Sequence, residues 1–545
     1  MTESYVPRTD YIEQLDGYRG NRDLIKVITG VRRAGKSVLL AQFRQHLIDS
    51  GVDEADVVYV DLEESRYSVT TDRMLYDLLA GGIRGEGAYV LIDEVQSVPG
   101  WEKAVTAVWK RFGADVYVTG SNSQMLSSEL STHITGRYVT VHVLPFSFRE
   151  FVARYPADGE NGYPQRFQQF LRWGGMPMID LNDSPRKNAA ILAGIYDSIL
   201  NKDVRSRVEL DQGTLDNITD FMLANIGNLV STGSITRGSF IRDPRTTERY
   251  LSELCNCFLF YRADGYDIVG REHLRTKAKM YPVDNGLRNS RLREPEMNVS
   301  ALLESAVYIE LVRRGYRVSV GSYRSREVDF TAWDPEGRVE YYQVAYTVSS
   351  RPTLKRETEA FGDMGPGPSR TLITMDDEMP EVPEGVRAVN AVEWFLGRCR
   401  RLPFISRSLS PADNMEGACF YRHPAAPADA FTELFHGRLY AMPPPPGGGR
   451  GGPPPGHHGG PPPHGAPPPR RRRRGLIFVP PPPPPRDGGG SSGGSGSSSG
   501  SSSDSSTDSS SDSQSTYDGS GYCPSCGSPV EDGHSYCGVC GKKLR

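Results

Sequence analysis

Five short apolar runs recur through the first 180 residues: "LIKVIT", "VVYVDL", "AYVLID", "ADVYVTG" and "RYVTVHVL". Amphipathic stretches separate them. In "KSVLLAQFRQHLIDS", Val38, Leu39, Phe43 and Leu47 fall on one face at helical spacing. Strands this apolar, alternating with helices, predict an α/β fold with a mostly parallel sheet covered on both faces, assigned to residues 1–184. From 185 to 275 the pattern turns helical. "TLDNITDFMLANIGN", "TGSITRGS" and "TTERYLSELCNCFLFYRADG" read as three helices and a strand, the order of a winged helix. Arg245 and Arg249 lie on or beside the third helix, while Leu251, Leu254 and Phe258 give it a core-facing side. Such modules contact DNA or protein, and both stay open. A smaller α/β region follows over 276–402. Beyond it the alternation stops. Proline, glycine, arginine and serine tracts fill 403–520, too poor in apolar surface to offset chain entropy, so a disordered linker is expected.

A chain of 545 residues should hold several domains. Its 63 Lys+Arg against 67 Asp+Glu leave a formal charge of -4, so global charge argues for neither nucleic acid nor membrane. The opening "MTESYVPRTDYIEQ" has no apolar core, and no uninterrupted apolar run is long enough to cross a bilayer. The expectation is a soluble cytoplasmic protein with no membrane partner. Eight cysteines are present, four of them scattered and four in two C-x-x-C pairs at the C-terminus. That placement suits a reducing compartment and one metal site.

The first apolar run ends in "GVRRAGKS", Gly30 to Ser37, which matches G-x-x-x-x-G-K-[ST] between a strand and a helix. Gly30 and Gly35 let the backbone of Val31, Arg32, Arg33 and Ala34 curl so that its N–H groups face phosphate. Lys36 would reach the β- and γ-phosphates of ATP, and Ser37 would ligate Mg²⁺. Arg32 and Arg33 either touch phosphate or face solvent, and solvent is preferred. "YVLIDEVQ" then places Asp93 at a strand end, where it would organise Mg²⁺, and Glu94 beside it, where it would polarise a water. Asn122, after "ADVYVTGS", is a candidate to sense the γ-phosphate or orient water. Arg137 is a candidate to stabilise transferring charge, within the chain or across a subunit boundary; a surface ion pair serves equally well.

Taken together, "ITGVRRAGKSVLL", "LIDEVQ", "TGSNSQML", "ITGR", "LPFSFREF", "LRWGGMP", "YDSILNKDV" and "EVDF…YYQVAY" resemble prokaryotic AAA-type P-loop ATPases of the group with a catalytic glutamate, from about residue 5 to 400. The resemblance implies ATP binding and hydrolysis, and a C-terminal domain of uncharacterised role. In that domain Glu304 lies in an apolar helix, Asp329 in "REVDFTAW" and Gln343 in "VEYYQVAY". Their order resembles a PD-(D/E)XK nuclease core, whose carboxylates hold a divalent metal. The expected E-x-K here reads Gln343-Val344-Ala345, so the lysine is missing and the site reads as a remnant.

Finally, "CPSCGSPVEDGHSYCGVCGKKL" spaces Cys523, Cys526, Cys537 and Cys540 as C-x₂-C-x₁₀-C-x₂-C, a tetrahedral Zn²⁺ set, so 521–545 reads as a zinc ribbon. Partners through the ribbon are open among protein, DNA and RNA, and oligomerisation is open as well. Two functions compete: an Mg²⁺-dependent ATPase that drives or gates an activity on DNA, and a nucleotide-dependent signalling or scaffold switch that binds proteins.

Overall fold

The computed structural model describes residues 5–64, 66–121, 137–205, 211–292, 298–324, 326–365 and 367–398, all within one compact unit of the chain. After a first helix, α1 (Thr9–Asp16), the chain enters β1 (Ile25–Thr29), α2 (Lys36–Asp49), β2 (Val57–Asp61), α3 (Asp72–Gly82), β3 (Tyr89–Asp93), α4 (Trp101–Phe112), β4 (Asp115–Gly120) and β5 (Tyr138–His142). The five strands form a wholly parallel sheet in the order β2-β3-β4-β1-β5. Parallel strands need helices on both faces, and two apolar clusters supply them. Leu39, Leu40, Phe43 and Leu47 of α2 pack on one face, with Phe43 set 4.8 Å from Tyr117 of β4. Leu75 and Leu79 of α3 and Val105 and Val108 of α4 pack on the other. Inside β1 and β4, Lys26 and Asp115 form a fully buried ion pair that fixes which strands adjoin.

Helices α5 (Phe148–Arg154), α6 (Tyr163–Trp173) and α7 (Pro185–Ile199) lead away from this sheet. At its C-terminal end α7 widens into a π-helical turn, Leu200–Arg205. Three more helices follow, α8 (Gln212–Ala224), α9 (Thr232–Gly238) and α10 (Pro244–Asn256), then the antiparallel hairpin of β6 (Phe260–Asp267) and β7 (Glu272–Pro282). An antiparallel bridge joins Val230, ahead of α9, to Ala278 of β7. The third of these helices, α10, packs against β6 of the hairpin.

A boundary at 275 is corrected by this hairpin. It falls inside β7, whose ladder with β6 makes the two strands one piece, and β6 also pairs in parallel with β8 (Arg317–Tyr323). The second sheet therefore has seven strands, ordered β12-β11-β10-β9-β8-β6-β7. Its centre follows α11 (Asn285–Arg291) and runs α12 (Val299–Arg313), β8, β9 (Arg326–Trp333), β10 (Val339–Ala345), α13 (Arg351–Gly362) and β11 (Ser369–Thr374), with β12 (Val386–Asn390) at the edge and α14 (Ala391–Phe395) last. Strands β8, β9 and β10 pair antiparallel, and β11 joins β10 in parallel. One continuous apolar cluster reaches from Phe43 through Phe148, Phe167 and Tyr196 to Tyr308 and Phe395, so the two sheets share a core.

Candidate functional site

The loop after β1 curls because its glycines permit it. Gly30 has φ 144° and Gly35 φ 98°, both outside the range other residues adopt readily. A Cβ on Gly30 would also collide with the Val143 carbonyl. Lys36, the first residue of α2, turns into the curl with 3% of its surface exposed. Its ammonium donates to the carbonyls of Gly30 (3.1 Å) and Val31 (3.3 Å) and lies 3.7 Å from Glu94 Oε1. Burial pulls the Lys36 pKa down, against the pull of Glu94 and Asp93.

Asp93 ends β3 and is buried. Burial pushes its pKa up, while hydrogen bonds from the Ser37 and Thr119 hydroxyls oppose that rise. Ser37 and Asp93 therefore meet, although β2 and α3 separate them in sequence and β4 lies between β1 and β3 in the sheet. Glu94 is held in the left-handed region at φ 51°, which costs a non-glycine residue about 1 kcal/mol or more. Its amide donates to Thr119 Oγ1 (2.8 Å), and the Gln96 amide donates to its carboxylate. That backbone turn lets adjacent acids aim apart, Asp93 toward Ser37 and Glu94 toward Lys36.

Two residues depart from their sequence reading. Arg32 does not face solvent: its side chain is only 14% exposed, and its guanidinium grips Asp203 through Nε (2.9 Å) and a terminal nitrogen (3.2 Å). Arg33 does face outward, near Met178 Sδ at 3.4 Å. Arg137 is not part of the site within one chain. It precedes β5 at the level of Ile25, the far end of β1 from Gly30, and stacks over Trp109. Five residues of parallel strand put it roughly 15 Å from the loop. Asn122 lies outside the described residues, as do Cys523, Cys526, Cys537, Cys540 and the whole of 403–545.

Sequence reading also missed Asp203, Gln96 and Thr119. Asp203 was visible in principle, since it stands one helical turn after Ile199 on the buried face.

A second cluster forms where α12 crosses the seven-stranded sheet. Glu304 and Asp329 come together, and Gln343 accepts from the Asp329 amide (3.3 Å) while donating to Glu357 (2.9 Å). At the centre stands Lys279 of β7, 1% exposed, 2.8 Å from Glu304, 2.6 Å from Glu327 and 3.3 Å from Asp329. Burial opposes its charge, but Asp329, Glu304 and Glu327 outweigh burial and hold its pKa up. Burial, then Glu304, pushes Asp329 up to about 7. An ammonium thus occupies the cluster although Ala345 lacks one. Among the described residues no group of three or more His, Cys, Asp or Glu is arranged to hold a metal ion.

The five-stranded parallel sheet, the glycine curl around Lys36 and the acids after β3 define an AAA-type P-loop ATPase domain. A family model for the AAA domain matches residues 22–152, and one for a domain of unknown function (DUF8612) matches 164–298. The chain belongs to the family of a Haemophilus influenzae protein described as uncharacterized, 36% identical over 406 residues that cover 73% of this chain and 100% of that one. Uncharacterized protein MJ1544 of Methanocaldococcus jannaschii is 28% identical over 358 residues, covering 62% of this chain and 78% of its own. Among solved structures, Cdc6p from Pyrobaculum aerophilum overlays with a TM-score of 0.25 at 13% identity, over 53% of this chain and 95% of that one. That overlay is too loose to carry an argument. No helix among the described residues is long and apolar enough to cross a membrane.

Proposed function

We propose that this protein is an Mg²⁺-dependent ATPase whose hydrolysis drives or gates an activity on DNA. The observation that carries the ATPase reading is the meeting of Lys36, Ser37, Asp93 and Glu94 from two separate loops at one end of the sheet. Ser37 and Asp93 offer hard oxygen donors that already share a hydrogen bond, a donor set that fits Mg²⁺. Bound there, the ion would neutralise charge on the phosphates. The loop's amides and Lys36 would hold the polyphosphate. Glu94, fixed by Thr119 and Gln96, would accept the proton of an attacking water.

The DNA half of the reading is supported by the helix–hairpin segment. Arg237, Arg242, Arg245 and Arg249 are exposed on or beside α9 and α10, around Phe240, which is 89% exposed. ATP turnover measured with and without duplex DNA tests it. Stimulation by DNA that weakens steeply as salt rises supports the reading, and turnover indifferent to several DNA forms overturns it.

The switch reading retains one observation in its favour. Lys279 fills the centre of the Glu304–Asp329 cluster, which suits a docking domain that does not cut. Nicking supported by Mg²⁺ or Mn²⁺ and lost in Asp329→Ala would remove that alternative. For the C-terminal segment, Cys523, Cys526, Cys537 and Cys540 support a Zn²⁺ ribbon by their spacing.

A further inference from the structure

Asp203 stands well outside the two loops that form the ATPase site, yet its carboxylate touches both sides of that site. It binds Arg32 of the phosphate loop through two nitrogens (2.9 and 3.2 Å), and it accepts from Ser121 Oγ (3.0 Å), just past the end of β4. Only 3% of its side chain is exposed, and its charge is felt at Lys36. Two further acids act on Arg32: Glu94 through its charge, and Glu63 at 3.3 Å, whose carboxylate is 54% exposed so that its pull is screened. Asp203 itself rides on the π-helical turn Leu200–Arg205 that ends α7. Single π turns are rare and frequently mark functional sites.

From this geometry we infer that Asp203 is a positioning residue that acts through Arg32 to set how strongly the site prefers ATP over ADP. The inference rests on the ATPase reading above. Arg32 belongs to the curl where a polyphosphate would sit and turns its guanidinium to Asp203, so carboxylate and terminal phosphate compete for that one group. ADP lacks the γ-phosphate and leaves the Arg32–Asp203 pair intact. ATP draws Arg32 away, and the buried Asp203 then faces an anion without its partner, an arrangement that burial makes unfavourable. Relief comes by shifting the π turn that carries Asp203. Asp203 therefore weakens ATP binding selectively.

The test is calorimetric binding of ATP (a non-hydrolysable analogue serves as control) and of ADP, each with Mg²⁺, to full-length wild type, Asp203→Asn, Arg32→Gln and the double variant. Asp203→Asn frees Arg32 and is expected to tighten ATP about tenfold, the worth of one charge-assisted hydrogen bond, with ADP changed less than about twofold. Adding Arg32→Gln should erase that gain, so the double variant matches Arg32→Gln alone. A purely structural Asp203 would weaken both nucleotides together, and that result overturns the inference, as does an ATP-to-ADP ratio unchanged in Asp203→Asn. If Asp203→Asn does not fold, Arg32→Gln decides: a lower ATP-to-ADP preference than wild type supports the inference, and an equal one overturns it. A wild type that binds neither nucleotide defeats the ATPase reading itself, a failure distinct from the others.

Discussion

At the scale of single residues the site depends on groups whose charge is set by burial. Glu94 touches Lys36 and is held by Thr119 and Gln96, so its loss should harm chemistry more than binding. Glu94→Gln is expected to retain ATP while turnover falls about 10²- to 10³-fold, measured by phosphate release. Equal losses in affinity and rate would contradict the role. His142 gives a second residue-scale prediction. Its ring lies 3.1 Å from the Thr29 hydroxyl and 2.6 Å from that of Tyr261, tying the strand before the phosphate loop to β6. Burial, then the charges of Lys36 and Arg313, pushes its pKa down to about 4. The unfolded ring titrates near 6.5, so the unfolded chain takes up the proton first as pH falls. Stability contributed by neutral His142 is complete above about pH 6.5 and is lost between there and about pH 4, on the order of 3 kcal/mol. Urea unfolding of His142→Phe should show a flatter pH dependence across that window than wild type. Parallel curves would refute it.

Elements were legible where pattern and local chemistry agreed. All five strands of the first sheet were read within a residue or two, because each is a short apolar run bounded by polar turns. The face of α2 was read with one error: Leu40 is buried and Val38 is only partly so, since a helix between sheet and solvent buries more than a narrow stripe. Boundaries inside the second half were harder. The β6–β7 hairpin serves both the helical segment and the second sheet, a dual pairing that no periodicity encodes. Lys279 was hidden for the same reason, since it arrives from β7, far in sequence from Glu304 and Asp329. Removing it leaves Glu304, Glu327 and Asp329 facing one another in a largely buried space. Lys279→Ala should cost about 3–5 kcal/mol, read from urea midpoints, and recover in part as pH falls and Asp329, already pushed up to about 7, takes up a proton. A cost below about 0.5 kcal/mol would mean the cluster is solvated and structurally idle.

For the whole molecule, one continuous core means that events at the phosphate loop and at α12 are carried by a single packed body. The zinc ribbon proposed for 521–545 has a test of its own. Metal analysis should find about one zinc per chain, lost when 521–545 is deleted, with ATP binding unchanged; binding that fails with the deletion would show that the segment belongs to the site. Everything at this scale depends first on a nucleotide being held. Equilibrium binding of ATP with Mg²⁺ to wild type and Lys36→Ala tests that most directly. Wild type should retain ATP and Lys36→Ala should weaken it by about 100-fold or more, because a buried ammonium inside the curl is the strongest single attraction for phosphate. A wild type that does not retain ATP, or a Lys36→Ala that retains it equally, contradicts the account.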